Sequence, residues 1–168
     1  MALHVPVREA SPSDSLASLV REHGWVVATR CSDVGGVRLV STRGGLRLDV
    51  ADAGSPERST QVDLRADGGV RVYASTTPPA LLVGADDART VPALPGGAES
   101  LRLDVGQRLL VLSSDALDAL PVSVAAVLQS LPARLAAGEP HELLRDLTAD
   151  LDAGSAALVV RESPVHAT

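Results

Sequence analysis

Two aspartates in this sequence stand where a strand-like run gives way to small residues. Asp52 follows a run of alternating apolar residues that ends at Val50, and Asp115 follows the apolar run Leu109–Leu112. Carboxylates at strand ends often bind hard divalent cations such as Mg²⁺ and Mn²⁺. The same residue type caps helices, and a cap at Ser114 or Asp115 suits the helical pattern that follows. Spacing alone favours the cap over the metal ligand.

Motifs for most other chemistry are missing from the sequence. It contains no phosphate-binding loop, no nucleophile elbow, no dinucleotide fingerprint and no zinc-ligand spacing. The histidines are scattered along the chain, and a surface position is expected for each of them: His4, His23, His141 and His166. Cys31 is the single cysteine, so it has no disulfide partner. Its apolar surroundings predict a buried thiol in a reducing compartment.

Length and composition indicate one acidic domain that spans residues 1–168. Hydrophobic residues make up 45% of the chain, and leucine, valine and alanine must form the core because Trp25 and Tyr73 are the only aromatic residues. The formal net charge of −6 argues against nucleic acid as a partner, since phosphate binding needs a basic surface. No signal peptide and no apolar run of membrane-spanning length is visible, which predicts a cytoplasmic protein without a membrane partner.

The elements that must position the aspartates are mostly strands in the first two thirds of the sequence. Alternating apolar residues predict two hairpins, with turns at Arg43-Gly44-Gly45 and Asp67-Gly68-Gly69. A helix is predicted from a cap at Ser11-Pro12-Ser13-Asp14 to His23-Gly24, and a loop over residues 51–60. Other predicted strands are Leu3–Val7, Trp25–Thr29, Val37–Ser41, Leu46–Val50, Ala80–Val83 and Leu109–Leu112.

Helical spacing dominates the last third of the sequence. Apolar residues recur every three or four positions over Ala116–Ala137, which predicts a helix with Pro121 near its start and a break or kink at Pro132. Pro140 opens a second predicted helix, and Ala157–Arg161 is a final predicted strand. Many strands, then helices, then one strand indicate antiparallel sheets packed against helices, which is an α+β fold.

Three segments of the second half carry a resemblance to a known family. Gly69–Val83 contains a strand, the sequence Thr76-Thr77-Pro78-Pro79 and an apolar strand; Leu103–Leu117 contains a strand that leads into Ser114-Asp115-Ala116; Ala156–Arg161 closes the series. In order and spacing these segments resemble the SpoIIE-like PPM-type (metal-dependent) Ser/Thr protein phosphatases, with the best match over residues 69–161. The chain differs where Thr76-Thr77 replaces the family's Gly-His pair and Ala116 replaces the glycine of its Thr-Asp-Gly element.

The first half resembles the same family less completely. Val34-Gly35-Gly36-Val37 is similar to its Gly-Gly-Asp segment, with valine in place of the acid. Val50–Gly54 is similar to its metal-binding Gly-Asp-x-x-Gly loop, one residue short. The long helical segment that follows in the family is missing, because only Ser55–Asp67 separates this loop from the next strand. The resemblance therefore implies a truncated α+β fold, a PPM-phosphatase-like antiparallel β-sandwich packed with helices.

The resemblance also implies what the aspartates would do. Members of the family gather acids around two Mn²⁺ or Mg²⁺ ions, which activate the water that attacks the phosphoryl group. Asp52 and Asp115 correspond to two of those metal ligands. Gly154-Ser155 stands in place of the acid pair before the last strand, with Asp150 and Asp152 as the nearest acids. Two carboxylates hold a hard dication poorly without further oxygen ligands, so no metal cofactor is expected.

Three interpretations follow. The first is a degenerate, non-catalytic phosphatase domain that acts as a regulatory or partner-binding module in bacterial signalling, with an anti-anti-sigma-like regulator as the implied partner. The alternative is an active minimal Mn- or Mg-dependent phosphatase that uses Asp52 and Asp115 with Asp49 or Asp152. The third is an unrelated small α/β protein. A phosphatase should gather three or more carboxylates in one cleft, whereas a binding module should show an apolar patch or a groove where the missing helices would pack.

Overall fold

The computed structural model describes residues 16–31, 36–52, 55–74, 77–94, 96–119, 123–134, 138–149 and 154–162. Its strands are β1 (Leu16–Glu22), β2 (Trp25–Cys31), β3 (Gly36–Thr42), β4 (Gly45–Asp52), β5 (Ser55–Arg65), β6 (Gly69–Ala74), β7 (Ala80–Val83), β8 (Ala88–Val91), β9 (Gly97–Arg102), β10 (Arg108–Leu112) and β11 (Ser155–Arg161). Its helices are α1 (Ser114–Asp118), α2 (Val124–Arg134) and α3 (Pro140–Leu147). None of these helices is long and apolar enough to cross a membrane.

The strands form two antiparallel sheets that face each other. The six-stranded sheet has the order β1-β2-β11-β10-β7-β8, and the five-stranded sheet has the order β3-β4-β5-β6-β9. The helices pack on the outer side of the six-stranded sheet, with α2 against β7 and β8 and α3 against β1, β2 and β11. The described chain therefore has three layers, and the predicted α+β architecture of an antiparallel sandwich packed with helices is confirmed.

Two hydrophobic clusters lie on the two sides of the six-stranded sheet. Because side chains alternate along a strand, Leu109 and Val111 of β10 face the other sheet while Leu110 and Leu112 face the helices. As the composition predicts, both clusters consist almost entirely of leucine, valine and alanine. The thiol of Cys31 is buried in the cluster between the sheets, as predicted.

Local turn chemistry forms the predicted hairpins. Thr42 pairs with Gly45 across the first turn, which leaves Arg43-Gly44 as a two-residue loop between β3 and β4. In the second turn, Asp67 accepts a hydrogen bond from the Gly69 backbone N–H at 2.8 Å. This bond lowers the pKa of the Asp67 carboxyl, and the turn joins β5 to β6 as predicted.

Residues 16–22 form a strand, so the helix predicted there is wrong. β1 pairs with β2 along its whole length, up to Glu22 opposite Trp25. His23 and Gly24 between them have φ angles of 53° and 79°, and positive φ at both central residues is the mark of a type I′ hairpin turn. His23-Gly24 between two apolar runs was therefore a hairpin signal that the spacing of Leu19 and Val20 obscured. The predicted cap at residues 11–14 and the predicted strand Leu3–Val7 lie outside the described residues.

Two further predictions need correction. β5 begins at Ser55, inside the predicted loop 51–60, because pairing with β4 outweighs the glycine, serine and proline content of this segment. The predicted helix over 116–137 is two helices, α1 and α2. Pro132 lies near the end of α2, where it removes only one N–H donor, and the helix continues to Arg134. β8 was not predicted, because Ala88–Val91 holds only two apolar residues.

Trp25 links the two sheets. Its side chain is fully buried in β2, and its indole N–H donates to the backbone oxygen of Arg65 in β5 at 2.8 Å. The Arg161 guanidinium lies over the ring, 4.8 Å from its centre. The residue thus combines a large apolar surface with a hydrogen bond to the opposite sheet.

Replacing Trp25 by phenylalanine is expected to lower the free energy of unfolding by about 2 kcal/mol, since the change leaves a gap and removes the indole hydrogen bond to the opposite sheet. Urea unfolding followed by circular dichroism measures the loss. The matched control is Tyr73→Phe, which changes the other aromatic residue, on an exposed face, and should stay within about 0.5 kcal/mol of the unmodified protein. Equal losses in the two variants would refute a linking role for Trp25.

Candidate functional site

Asp52 lies at the end of β4 and faces the space between the sheets. It follows the inward-facing residues Leu48 and Val50, and only 7% of it is exposed. The register with β5 shifts at this point, because Ala51 pairs with Ser59 and Asp52 with Ser55. The end of β4 thus places a buried carboxylate against the six-stranded sheet, where it reaches the start of α1.

Asp115 is brought to the same end of the sandwich by α1. Asp52 Oδ1 accepts a hydrogen bond from the backbone N–H of Ser114 at 2.6 Å, and Ser114 is the residue before Asp115. Asp115 lies half-buried in the first turn of α1, where a carboxylate interacts favourably with the free backbone N–H groups. The structure therefore brings together the two aspartates that the sequence singled out, from opposite sides of the sandwich.

The cap of α1 is Ser113, one residue before the predicted positions Ser114 and Asp115. Its Oγ accepts hydrogen bonds from the backbone N–H of Ala116 at 3.3 Å and from that of Ser155 at 2.9 Å. Its own backbone N–H donates to the Ser155 oxygen at 2.9 Å. Ser113 therefore ties the start of α1 to the start of β11. Ser113, Ser114 and Asp115 are three consecutive residues of types that favour the cap position, and propensity alone does not distinguish between them.

Gly154 lies directly against the first turn of α1. A Cβ atom at this position would lie 2.5 Å from the backbone nitrogen of Ala116 and 2.7 Å from its Cα, and the φ angle of Gly154 is 103°. Backbone atoms cannot move out of the way as a flexible side chain can, so only glycine fits. An acid at position 154, where the resemblance places one of a pair, has no room in this structure.

Ser155, the other position of that pair, is almost fully buried. It is 1% exposed, and its hydroxyl has no hydrogen-bond partner among the residues that the structure describes. It shares the inward side of β11 with Ala157 and Val159, so it faces the same interior as Asp52. Thr77 stands where the resemblance places a histidine. Its hydroxyl accepts a hydrogen bond from the Thr60 hydroxyl at 2.7 Å. Hydroxyl groups thus occupy positions where the resemblance implies charged or imidazole side chains.

The other acids do not join Asp52 within the described residues. Asp49 lies on the opposite face of β4, near Arg38 and Arg47. Its pKa is raised above the usual value, because the effect of burial exceeds the opposing effect of the two arginines. Asp150 and Asp152 fall outside the described residues. Across the ranges that the structure describes, no group of three or more histidine, cysteine, aspartate or glutamate side chains is placed to hold a metal ion.

These residues do not fit a two-metal centre. Asp52 already accepts a backbone N–H, Gly154 leaves no room for a carboxylate, and the buried Val37 of β3 stands where an acid would be needed. The arrangement instead stabilises the start of α1 from two sides. We call this arrangement the Asp52 joint, formed by Asp52, Ser113, Ser114, Gly154 and Ser155.

The two facing antiparallel sheets, the helices on the six-stranded side and the meeting of Asp52 with α1 define a class: the chain has the SpoIIE-like PPM phosphatase fold. Solved structures with this fold share little sequence with it. The RsbU and RsbW domains of a Mycobacterium tuberculosis protein superpose with a TM-score of 0.54 at 14% identity, covering 98% of this chain and 61% of that chain.

Two further solved structures superpose on this chain and support the same fold. RsbX in complex with magnesium superposes with a TM-score of 0.57 at 7% identity, covering 88% of this chain and all of that chain (100%). The phosphatase domain of SpoIIE from Bacillus subtilis gives 0.50 at 13% identity, covering 65% and 57%. The chain thus spans less than two thirds of the Mycobacterium tuberculosis and Bacillus subtilis chains. The sequence matches no protein-family model and no curated protein.

Proposed function

We propose that this domain is a non-catalytic form of the PPM phosphatase fold, a cytoplasmic regulatory module that binds a protein partner in bacterial signalling. The observation that carries the proposal is the contact at Gly154, where the first turn of α1 fills the place of an acid that the metal centre would need. If only the side chain of a metal ligand had been replaced, the space for that side chain would remain. At Gly154 the backbone of α1 occupies this space.

The chemistry of the Asp52 joint supports the same conclusion. Phosphoryl transfer between two metal ions needs several carboxylate oxygens to balance the charge of the ions and to hold them in place. The described interior offers one buried carboxylate, Asp52, and that group accepts a backbone hydrogen bond. The hydroxyls of Ser113 and Ser155 are neutral and do not replace the missing charge. The joint therefore holds a helix rather than a pair of ions.

The proposed partner is a regulatory protein of the anti-anti-sigma-like kind. The similar Mycobacterium tuberculosis chain carries an RsbU domain together with an RsbW domain, which supports a role among interacting regulators. Within the described residues the helices pack on the six-stranded sheet, and none of them covers the outer face of the five-stranded sheet, which supports that face as the place where a partner would bind.

Calorimetric titration with Mn²⁺, run beside turnover of p-nitrophenyl phosphate, tests the proposal. The chelator-treated protein should show no saturable Mn²⁺ binding and no turnover, while its buried Trp25 confirms by fluorescence that it is folded. Asp52→Asn and Asp115→Asn should behave identically to the unmodified protein in both measurements. Asp49→Asn is the matched control, since it changes an acid on the opposite face of the same strand.

The opposite outcome would favour the active minimal phosphatase. In that case Mn²⁺ would bind and turnover would be measurable, and both would be lost in Asp52→Asn and Asp115→Asn but kept in Asp49→Asn. The ligands would then have to include acids outside the described residues, with Asp150 and Asp152 as the first to test.

A further inference from the structure

The outer face of the five-stranded sheet is polar, not apolar. β4 leads into β5 after only residues 53 and 54, so no helical segment separates them, and the face shows arginines and a tyrosine in place of a helix-packing surface. The expectation of an apolar patch where the missing helices would pack is therefore wrong for this face. Its side chains are arranged in rows across the strands, set by the register of the sheet.

Two rows cross the whole sheet. The first runs from Arg38 of β3 through Asp49, Gln61 and Tyr73 to Ala98 of β9. The second runs in the same strand order through Val40, Arg47, Asp63, Arg71 and Ser100. Arg65 and Arg102 lie beside the second row, towards the turn of β5 and β6. We call this surface the arginine face.

The arginine face carries a positive charge on an acidic protein. Its exposed arginines outnumber its two half-buried aspartates, Asp49 and Asp63, and they are Arg38, Arg47, Arg65, Arg71 and Arg102. The arginines still outnumber the carboxylates when Asp67 of the adjoining turn is counted. The Oδ2 atom of Asp67 lies 3.9 Å from Nε of Arg65. The whole chain has a formal net charge of −6, so positive charge is concentrated on one sheet face.

The charges of the arginine face are only partly neutralised from within. Asp63 forms its ion pair with Arg47 at 2.9 Å, although Arg71 is its neighbour on the other side. None of the described carboxylates lies within ion-pair distance of Arg71 or Arg38. Arg38 interacts with Asp49 electrostatically at longer range. These guanidinium groups retain donors that an incoming carboxylate would satisfy in pairs.

The residue types also suit protein recognition. Arginine and tyrosine are enriched at the energetically dominant positions of protein interfaces, whereas lysine is depleted. The side chain of Tyr73 stands in the middle of the face, 49% exposed, and the chain has no lysine at all. Such a surface offers rigid, bidentate donors around an aromatic centre.

We infer that the arginine face docks an acidic helix of a partner protein, an inference that rests on the proposed partner-binding function. Arg38 and Arg71 lie three strands apart and in neighbouring rows, two residues apart along the strand, so they are separated by roughly 16 Å. Eleven residues of an α-helix cover about 16.5 Å. A helix that lies obliquely across the strands, with acids eleven residues apart, therefore presents carboxylates to both arginines. Tyr73 in the adjacent row supplies apolar contact.

Other occupants fit less well. Nucleic acid has a much higher charge density, and the acidic remainder of this chain opposes a long phosphate backbone that reaches beyond the face. A second copy of this chain would have to meet the face with a different, acidic surface, and such head-to-tail contacts do not close into a dimer. At physiological ionic strength charges more than about 8 Å apart are largely screened, so a local acidic helix experiences mainly the arginine face.

The probe for this docking surface is a synthetic alanine-rich helical peptide with glutamates on one face, about eleven residues apart, and fluorescence anisotropy measures its binding. The double variant Arg38→Glu/Arg71→Glu is expected to weaken binding at least about tenfold. The matched control, Arg21→Glu/Arg145→Glu, changes the net charge equally through exposed arginines outside the face and should bind as the unmodified protein does. Arg38→Gln/Arg71→Gln should give an intermediate loss.

Several results would overturn the inference. Equal weakening in the two charge-reversed variants would show a general effect of charge. If the peptide does not bind the unmodified protein, the arginine face is not a docking site for an acidic helix. Tighter binding of a single-stranded oligonucleotide of equal charge would assign the face to nucleic acid. Self-association that is lost in Arg38→Glu/Arg71→Glu would assign it to a second copy. Turnover of p-nitrophenyl phosphate, measured in the same preparations, shows separately whether the proposed non-catalytic function itself has failed.

Discussion

Replacing Gly154 by alanine is expected to lower the free energy of unfolding by roughly 3 to 5 kcal/mol. Two costs add. The φ angle of 103° is strained for any residue with a Cβ, and the new methyl group would lie 2.5 Å from the backbone nitrogen of Ala116. Relief would require α1 to move away from β11, which would break the hydrogen bonds that Ser113 makes.

A matched control separates the two costs. Gly106, in the turn before β10, has a φ angle of 94° and no atom within 4 Å of a Cβ built there. Gly106→Ala therefore has the backbone strain without the collision, and about 1 to 2 kcal/mol is expected. Urea unfolding of both variants measures the difference. If the two losses are equal, the first turn of α1 does not close position 154, and the main support for a non-catalytic domain disappears.

The same position decides whether the metal centre can be restored. Gly154→Asp returns an acid to the segment where the resemblance implies a ligand. Because the carboxylate has no room there, the variant is expected to lose at least as much stability as Gly154→Ala and to gain no Mn²⁺ binding by calorimetry. A variant that folds normally and binds Mn²⁺ would show that the Asp52 joint is a metal site lacking one ligand.

The parts of the fold that the sequence predicted are those set by local chemistry. Short turns that contain glycine join the two hairpins: Arg43-Gly44 is a two-residue loop, and Ala66-Asp67-Gly68 is a three-residue loop in which the φ angle of Gly68 is 94°. The apolar run Leu109–Leu112 predicted a buried strand, since only a strand covered on both sides is apolar at every position. Such signals depend on a handful of neighbouring residues, so they survive without knowledge of the rest of the molecule.

The wrong predictions share a different cause. The segment 16–22 has both helical spacing and a hairpin turn behind it, and pairing with β2 decides between them. Ser55 lies in a segment with the composition of a loop, yet it pairs with Asp52 of β4 beyond the register shift. In each case a contact between strands outweighs the local preference, and a single sequence does not show which contact forms.

The candidate site shows the same contrast between features set by local sequence and features set by contacts between distant segments. Its aspartates were visible from the sequence, and so was the replacement of the acid pair by Gly154-Ser155. What the sequence could not show is that Asp52 accepts a hydrogen bond from Ser114, 62 residues away. Nor could it show that α1 leaves no room at position 154. A missing ligand is a matter of residue type, whereas a closed site is a matter of distances between distant segments.

Replacing Asp52 by alanine is expected to lower the free energy of unfolding by about 2 to 3 kcal/mol, because the Ser114 N–H loses a charged acceptor at a nearly buried position. Asp52→Asn keeps an acceptor oxygen of the same shape and should lose less than half as much. Thermal unfolding followed by circular dichroism measures both. Asp49→Ala, which removes an acid from the opposite face of the same strand, separates a general effect of charge from the bond to Ser114.

Adding Mn²⁺ to these unfolding measurements separates a structural carboxylate from a metal ligand. A ligand that binds only the folded state raises stability in proportion to RT ln(1 + [L]/Kd), about 2.7 kcal/mol at a concentration one hundred times the Kd. If Asp52 only holds α1, the melting temperature of the unmodified protein should not change with Mn²⁺, and the loss in Asp52→Ala should be the same with and without the ion. A Mn²⁺-dependent stabilisation that disappears in Asp52→Asn would contradict this, since asparagine preserves the hydrogen bond but not the charge that a dication requires.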